Sequence, residues 1–534
     1  MDFLSSSCSP VSVYHEIHAI YIRDAGGQSL KVLRGRQEPV ERVLAFIFRN
    51  HPWSSSSVSL ATKRPKLDPC SRDFSSDDQW VKDCIAQSCN TNGEALTAVS
   101  GFTLRLQEVP RFSDGIIFGL LSVFPQESGI SPRFRQWFTS LVVNGARIPI
   151  HDLRFQENID TNARYLSSII CGIFDQSLRN ISRDDQWECG GRALFEDLAY
   201  RFISRGATVE FCLPAFPCKS SNTDKVTGYL PDKGEEIALK NLISFLRSVR
   251  KIYEPGAKLW VISDGHVFSD CIGVDDIIVD KYNEVLKSLC ANILENEDAL
   301  FKDCIQFCSL KELLFRDELR DSQFDRSVLS DITVSHFLGT TLSPDSELCR
   351  KILLAGCQVD SNELRAAIED QDPARLALYR GFSKFMLEDL SLHSASETLS
   401  KSQRKKMSSK IAFEMIKRNH AYSNLVELLF PQHIRLSIHA HDNRGPKFGI
   451  RLLGKNAAKL ERFDGKFLSS TSDDLLHIPT PWHNCVFQIE GGSTYYIAKS
   501  RVIREIMRTG QYKGVWTESQ NGQGYFYLAP CEHL

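Results

Sequence analysis

The alternation of apolar and polar positions becomes readable from about residue 194. Leu194 to Ile203 carries apolar residues at helical spacing, Gly206 ends the run as a helix C-terminus does, and Thr208 to Leu213 then reads as a buried strand. Across a loop, Glu235 to Tyr253 places Leu239, Leu242, Ile243, Leu246, Val249 and Tyr253 on one helical face until Pro255-Gly256 stops it. Lys258 to Ile262 is a second short apolar strand and Asp276 to Leu289 a further helix. Strand, helix, strand, helix is the order of a βαβ unit, so the predicted class is α/β: a Rossmann-like parallel sheet core with helices on both faces.

Further along, the period changes to two. Ile434, Leu436 and Ile438 alternate with Arg435, Ser437 and His439, so the pattern predicts one apolar face and one presenting a guanidinium, a hydroxyl and an imidazole. Phe448, Ile450 and Leu452 alternate likewise, and the Asn443-Arg444-Gly445-Pro446 turn is expected to close a hairpin. A second hairpin is expected around Gly491-Gly492, giving a C-terminal antiparallel β-hairpin region. Near the N-terminus, Val11, Val13 and Ile17 to Ile22 read as strand and Glu41 to Phe48 as a short helix. Trp53 to Gln79, with Ser54 to Ser57 and the basic run Lys63 to Lys66, reads as a solvated surface linker. The division this suggests is an N-terminal extension over 1–52, a linker over 53–79, an accessory region over 80–150, an α/β core over 151–430, a β region over 431–508 and a tail over 509–534.

Composition narrows the class of partner. At 534 residues, 42% hydrophobic and 24% charged, the chain is ordinary globular material long enough for two or three domains. A formal net charge of -2 gives no electrostatic footprint for nucleic acid or an anionic membrane. No window approaches the roughly 18 apolar residues that span a bilayer, and the expected compartment is the cytoplasm. The 16 Cys are singletons without a C-x-x-C pair, which indicates neither a zinc ribbon nor a disulfide framework.

Ligands of open α/β sheets bind beyond the carboxyl ends of the strands. Two polar loops are expected there: Pro214 to Asn222 continuing to Pro231 to Glu235, and Ser263 to Asp270. Lys219 in the first suits a phosphate or carboxylate, or is an ordinary solvated lysine. Asp264 and Asp270 suit proton transfer, or bond loop amides as Asx-turns. His266 between them makes an acid/base pair with a flanking carboxylate, or is structural. On the later strand, Arg435 suits an anion and His439 a proton, against a plain solvent face. His439 and His441 alternate as H-x-H, but without further ligands in a motif no metal site is expected. His483 after Trp482 reads equally as a satisfied structural histidine.

Taken in order, Leu213-Pro-Ala-Phe-Pro-Cys-Lys-Ser-Ser-Asn222, Leu230-Pro-Asp-Lys-Gly-Glu235, Tyr253-Glu-Pro-Gly-Ala257 and Ile262-Ser-Asp-Gly-His-Val-Phe-Ser-Asp270 with Tyr282 downstream resemble the pyoverdine/dityrosine biosynthesis family. So do Leu378-Tyr-Arg-Gly-Phe382, Ile434-Arg-Leu-Ser-Ile-His439 and Thr480-Pro-Trp-His483. The likeness covers roughly residues 190–505, with one departure at Cys218, where many relatives have Phe.

The resemblance implies an isocyanide synthase, which joins the α-amino group of an L-amino acid to ribulose 5-phosphate and leaves a sugar carbon on nitrogen. It equally covers spore-wall enzymes that make N-formyltyrosine, and a non-catalytic scaffold is the reading of another class. Such chemistry needs a neutral amine, a base, and cations for a phosphate and a carboxylate, but no metal or organic cofactor. It places proton transfer on Asp264, His266, Asp270 and His439, and substrate binding on Lys219, Asp232, Arg380, Tyr282, Arg435 and His483. A separate iron/2-oxoglutarate oxygenase or other pathway enzyme is expected to act on the product.

Overall fold

The computed structural model describes five strands between residues 17 and 125, residues 134, 141, 147 and 149, and residues 161–531 apart from 183, 315–328, 330–331, 358–360, 431–432, 440, 455–456, 461–478 and 519–522. The helix expected at Glu41 to Phe48 lies outside them. The first strands, β1 (Ile17–Arg23), β2 (Ser29–Leu33), β3 (Ser56–Lys63), β4 (Phe102–Val109) and β5 (Ile116–Pro125), form an antiparallel sheet in the order β2-β1-β3-β5-β4. The expected linker over 53–79 therefore contains a strand. Its serines alternate with Val58, Leu60 and Thr62, a period-2 pattern that the serine content obscured.

The core sheet is built from β6 (Val209–Pro214), β7 (Ala257–Ser263), β8 (Ile305–Ser309), β9 (Ile434–Ser437) and β10 (Lys447–Gly449), ordered β10-β9-β6-β7-β8 with every neighbour parallel. Helices α1 (Thr161–Ser177), α2 (Arg192–Ile203), α3 (Lys233–Ile252), α4 (Gly265–Ile272), α5 (Asp276–Ile293), α6 (Ala299–Lys302), α7 (Leu310–Leu314), α8 (Pro344–Cys357), α9 (Ser361–Glu369), α10 (Pro373–Leu390) and α11 (Lys401–Leu429) surround it. The α/β class with helices on both faces is thus present. The order steps outward from β6 to β8 and restarts on the other side at β9, which makes β6/β9 the topological switch point.

The two faces differ in chemistry. Phe211 of β6 and Phe448 of β10 meet Phe174 of α1, Phe195 of α2 and Phe245 of α3, with ring centroids 4.5–6.2 Å apart. Neighbouring residues on the strands face α11: Tyr422 donates to Ile262 O at 2.8 Å, and Arg435 reaches Ser423 and Glu427.

Three further expectations change. First, β9 and β10 pair in parallel rather than as a hairpin, because the chain between Ser437 and Lys447 is a crossing loop and not a tight turn. All four residues of β9 are buried, so Arg435 and Ser437 lie inside against α11 instead of on a solvent face. Second, Ser263 to Asp270 is not a loop; from Gly265 it is helix α4, whose eight residues are all buried. Third, the expected tail over 509–534 carries β14 (Tyr512–Glu518) and β15 (Gly524–Pro530). Together with β11 (Ala457–Leu460), β12 (Cys485–Ile489) and β13 (Tyr495–Ala498) they make a mixed sheet, β11-β13-β12-β15-β14. The β12/β13 hairpin around Gly491-Gly492 is antiparallel as expected. Helix α12 (Ser500–Arg508) lays Val502, Ile503 and Ile506 on this second sheet.

Helix α4 is fixed by buried charge. Arg418 of α11 holds both oxygens of Asp270, at 2.6 and 3.0 Å, and also donates to Val267 O and Ser335 O. Arg350 of α8 donates to Ser269 Oγ and Asp276 Oδ1 and stands 3.5 Å from Asp270. Asp270, expected from its motif as a proton carrier, is held here as a structural anchor with both carboxylate oxygens engaged by Arg418. Removing one member of a buried ion pair typically costs about 3–5 kcal/mol, because the partner keeps its charge without its countercharge. Asp270→Asn should lower the urea-measured unfolding free energy by about that much; a change no larger than that of a surface substitution would show that the network does not hold α4.

Candidate active site

At the carboxyl end of β6 the chain turns sharply. Phe216 has φ 56°, a left-handed conformation that bulky residues rarely adopt, and it is buried with its ring 5.2 Å from Trp482. The turn brings the 215–220 loop under the 480–483 segment: Ser220 N donates to Trp482 O and Lys219 Nζ to Pro481 O, both at 2.9 Å. Motifs far apart in sequence thus meet here. The next strand end joins them, since Ser263 Oγ donates to Phe216 O and Gly265 lies so close to the Pro217 carbonyl that a Cβ would sit 2.2 Å from it.

Lys219 is fully enclosed, with Asp232 Oδ2 and Glu235 Oε2 each at 2.8 Å. With Pro481 O these are three acceptors for the three hydrogens of an ammonium, so its charge is spent inside the protein and not left for an anion. Burial alone would lower its pKa, but Asp232 and Glu235 raise it above the ordinary lysine range. Asp232 also caps α3 by accepting from Gly234 N, and burial pushes its carboxyl up to about 7 against the pull of Lys219. Tyr282 donates to Glu235 Oε1 at 3.0 Å. Lys219, Asp232 and Tyr282 are therefore gathered around Glu235, which lay in the motif but was not singled out.

Asp264 stands at the carboxyl end of β7. It occupies the cap position of α4 without capping it: the side chain bonds no helix N–H, and Oδ1 is enclosed with no hydrogen-bond partner. Burial pushes its carboxyl up to about 7, outweighing contact with its own backbone N–H. Its negative charge raises the thiol of Cys218 beyond what burial alone does, and likewise the phenol of Tyr422. A carboxyl balanced between its two forms near neutrality, at a strand end beside a strained turn, is equipped to take and return a proton.

His266 does not join it. Two residues along a helix turn the side chain to the far side, where Nε2 lies 2.9 Å from Asp280 Oδ1 without the alignment of a hydrogen bond. Burial would raise Asp280, but His266 and Lys311 bring it down to about 2. His483 rests edge-on against Phe385, ring centroids 5.0 Å apart, beside a second buried group in which Lys225 meets Asp389 at 2.6 Å. Arg380 is exposed on α10. Arg435 is engaged by Glu427 Oε1 at 2.5 Å and by Ser423, so its guanidinium too has a resident countercharge. His439 is half-buried just past β9, its N–H donating to Ser437 Oγ. Burial raises the phenol of Tyr422, Asp264 adds to that and Arg435 opposes it, so Tyr422 feels both groups.

Among the described residues no three His, Cys, Asp or Glu side chains converge to hold a metal ion, and no helix is long and apolar enough to cross a membrane.

Residues 199–510 match the family model described as pyoverdine/dityrosine biosynthesis protein. The chain is 42% identical over 422 residues to the spore wall maturation protein DIT1 of Saccharomyces cerevisiae, covering 79% of this chain and 76% of that protein. It is 29% identical to an L-tyrosine isonitrile synthase of Xenorhabdus nematophila, over 62% of this chain and 85% of that one. To the L-tryptophan isonitrile synthase AmbI2 of Fischerella ambigua it is likewise 29% identical, over 53% and 69%. Its fold is similar to the crystal structure of the PvcA protein from Pseudomonas aeruginosa, with a TM-score of 0.51 and 23% identity, covering 68% of this chain and 99% of that one.

Asp264→Asn keeps the shape and removes the basicity, and turnover should fall by roughly 10²-fold with folding intact. A turn-capping Asp would tolerate Asn, so an unchanged rate would remove the proton role. Stability gives an independent reading. Because the folded-state pKa is raised, the wild-type contribution is intact below about pH 4 and is lost as pH rises towards 7. The variant should therefore be relatively more stable at pH 8 than at pH 4; the opposite trend in paired denaturation curves would refute the enclosed carboxyl.

Proposed function

Because the chain belongs to the pyoverdine/dityrosine biosynthesis family, we propose that it is an amino-acid-modifying enzyme of the spore-wall type, forming an N-formyl amino acid from L-tyrosine. The observation that carries this is the 42% identity to a spore wall maturation protein across most of both chains, against 29% for the isonitrile synthases. The co-substrate in this reading is a phosphorylated keto-pentose, ribulose 5-phosphate. The amine adds to its ketone with loss of water, Asp264 takes a proton from the sugar carbon of the resulting imine, the sugar's phosphate leaves further on, and cleavage of the two carbon–carbon bonds flanking the former ketone carbon leaves that carbon on nitrogen, where water gives the formyl oxygen. The reading is supported by an enclosed carboxyl near its half-ionised point at a strand end, which is what enolisation at neutral pH asks of a base.

A second reading, favoured by the tyrosine- and tryptophan-specific names of the more distant relatives, is an isocyanide synthase whose product is not hydrated. In both, a separate enzyme consumes the product, an oxygenase or a phenol-coupling oxidant.

The purified protein should be incubated with L-tyrosine, L-tryptophan or L-valine plus ribulose 5-phosphate, and the products read by mass spectrometry. N-formyltyrosine is expected. A persistent isocyanide supports the second reading, and absence of any product with all three amino acids overturns both. Since the steps are additions and proton transfers, turnover should survive a chelator; loss of activity restored by zinc or iron would require a different mechanism.

A further inference from the structure

We propose that the sheet edge around Lys447, with Arg435, His439 and His441, is a built site for a dianionic oxyanion, a phosphate monoester by chemical class. The inference rests on the function proposed above only for the ligand's identity, the phosphate of the co-substrate; the site itself stands on its charges.

Lys447 opens the edge strand β10 and pairs in register with Arg435, so both side chains project to the face covered by α11. Its Nζ lies 2.8 Å from Ser423 Oγ, the same hydroxyl that accepts from Arg435. His441 folds back so that Nε2 is 2.9 Å from Ser437 Oγ, with His439 beside it. From α11 and α10 the neighbours are His420 and Arg375, whose Nε2 and guanidinium nitrogen are 2.8 Å apart. Glu427 is the carboxylate that reaches this group, and it is already bound to Arg435. The groups acting on Lys447 are Arg435, which repels its charge, and Glu427 and Cys212, which favour it.

Among the described residues, two arginines, a lysine and three histidines thus gather here, with Glu427 as the carboxylate hydrogen-bonded to the group. Burial first, and repulsion from neighbouring cations second, lower three of them: Lys447 to about 7, His441 to about 3 and His420 to about 4. Protonating them all beside Arg435 would crowd cations in a buried place, which is unfavourable unless something supplies negative charge. Lys447, His439 and His441 keep partial contact with solvent, so a ligand can reach them. The ammonium of Lys447 has three hydrogens and one protein acceptor here, and the Ser437 and Ser423 hydroxyls can turn towards an oxyanion. A dianion suits the place better than a carboxylate because it can compensate more than one cation, and on arrival it would draw protons onto Lys447 and the imidazoles.

Titration calorimetry of the full chain with inorganic phosphate, at pH 7.5 in two buffers of different ionisation enthalpy, tests this. Binding with net proton uptake is expected. Lys447→Met should weaken phosphate by about tenfold or more, the scale of a charge-assisted hydrogen bond. Lys447→Arg should retain most of the affinity with less proton uptake, since a guanidinium is already charged. Wild-type phosphate affinity in a Lys447→Met protein with native circular dichroism overturns the site. Acetate competing as well as phosphate overturns the phosphate assignment in favour of a carboxylate. Should Lys447→Met not fold, the arginine variant and the wild-type proton uptake decide. Ribulose 5-phosphate against ribulose separates the two proposals: phosphate binding that needs Lys447, without preference for the phosphosugar, keeps the site and removes the co-substrate.

Discussion

The structure depends on how it settles charge inside its core, above all through the Arg418 guanidinium clasped to Asp270. A buried carboxylate and guanidinium are each expensive alone, and only good geometry with further hydrogen bonds makes the pair tolerable. Arg418 meets that condition by spending its remaining hydrogens on Val267 O and Ser335 O, while Arg350 braces Asp276 and Ser269. These contacts tie α4 to α11, α5 and α8, leaving the helix no freedom to turn or slide. Its rotation is what sends His266 outward to Asp280 and leaves Asp264 at the strand end.

Against that background, satisfied and unsatisfied groups carry different information. Lys219 has three acceptors for three hydrogens and reads as architecture that shapes the walls of the site, while Arg435 is a cation already engaged by Glu427 and Ser423. Asp264 has an enclosed oxygen with no partner, and Lys447 has one neutral hydroxyl. Native proteins rarely leave buried polar groups short of partners, so such groups are candidates for contact with a ligand. Tyr422, whose phenol donates to Ile262 O, feels both Asp264 and the Arg435 that is paired with Lys447 across β9 and β10.

Much of the fold was legible in sequence because its signal is periodic. The apolar face of α3 and the runs of β6 and β7 announce themselves, and the Asp232 to Glu235 capping box confirms where α3 begins. Helix α4 was not legible: a helix buried on every side has no polar stripe, and Asp264-Gly265 has the composition of a turn. β9 misled for a related reason. Arg435 and Ser437 look like a solvent face, and only the position of Glu427 and Ser423 on α11 reveals that their partners are internal. Lys219 looked free because its acceptors include a carbonyl at Pro481, which no local pattern connects to it. Motif positions could therefore be picked out in sequence, whereas the division of labour among them could not.

That division follows the two faces of the sheet. The Phe174, Phe195, Phe211, Phe245 and Phe448 rings give one face interlocked apolar packing that fixes strand positions without polar demands. The other face carries Arg435, Ser437, Lys447 and the α11 side chains that answer them, so its charges can be arranged for chemistry while the aromatic side maintains the backbone. A site on rigid strands holds its groups within the small tolerance that proton transfer allows. The strained Phe216 is where the two demands collide: the chain leaves β6 in an unfavourable conformation, held by Trp482, to bring the 215–220 loop beside Asp264. Strain is thus kept at one strand end, next to a carboxyl with one enclosed oxygen that has no hydrogen-bond partner, a combination that packing alone does not require.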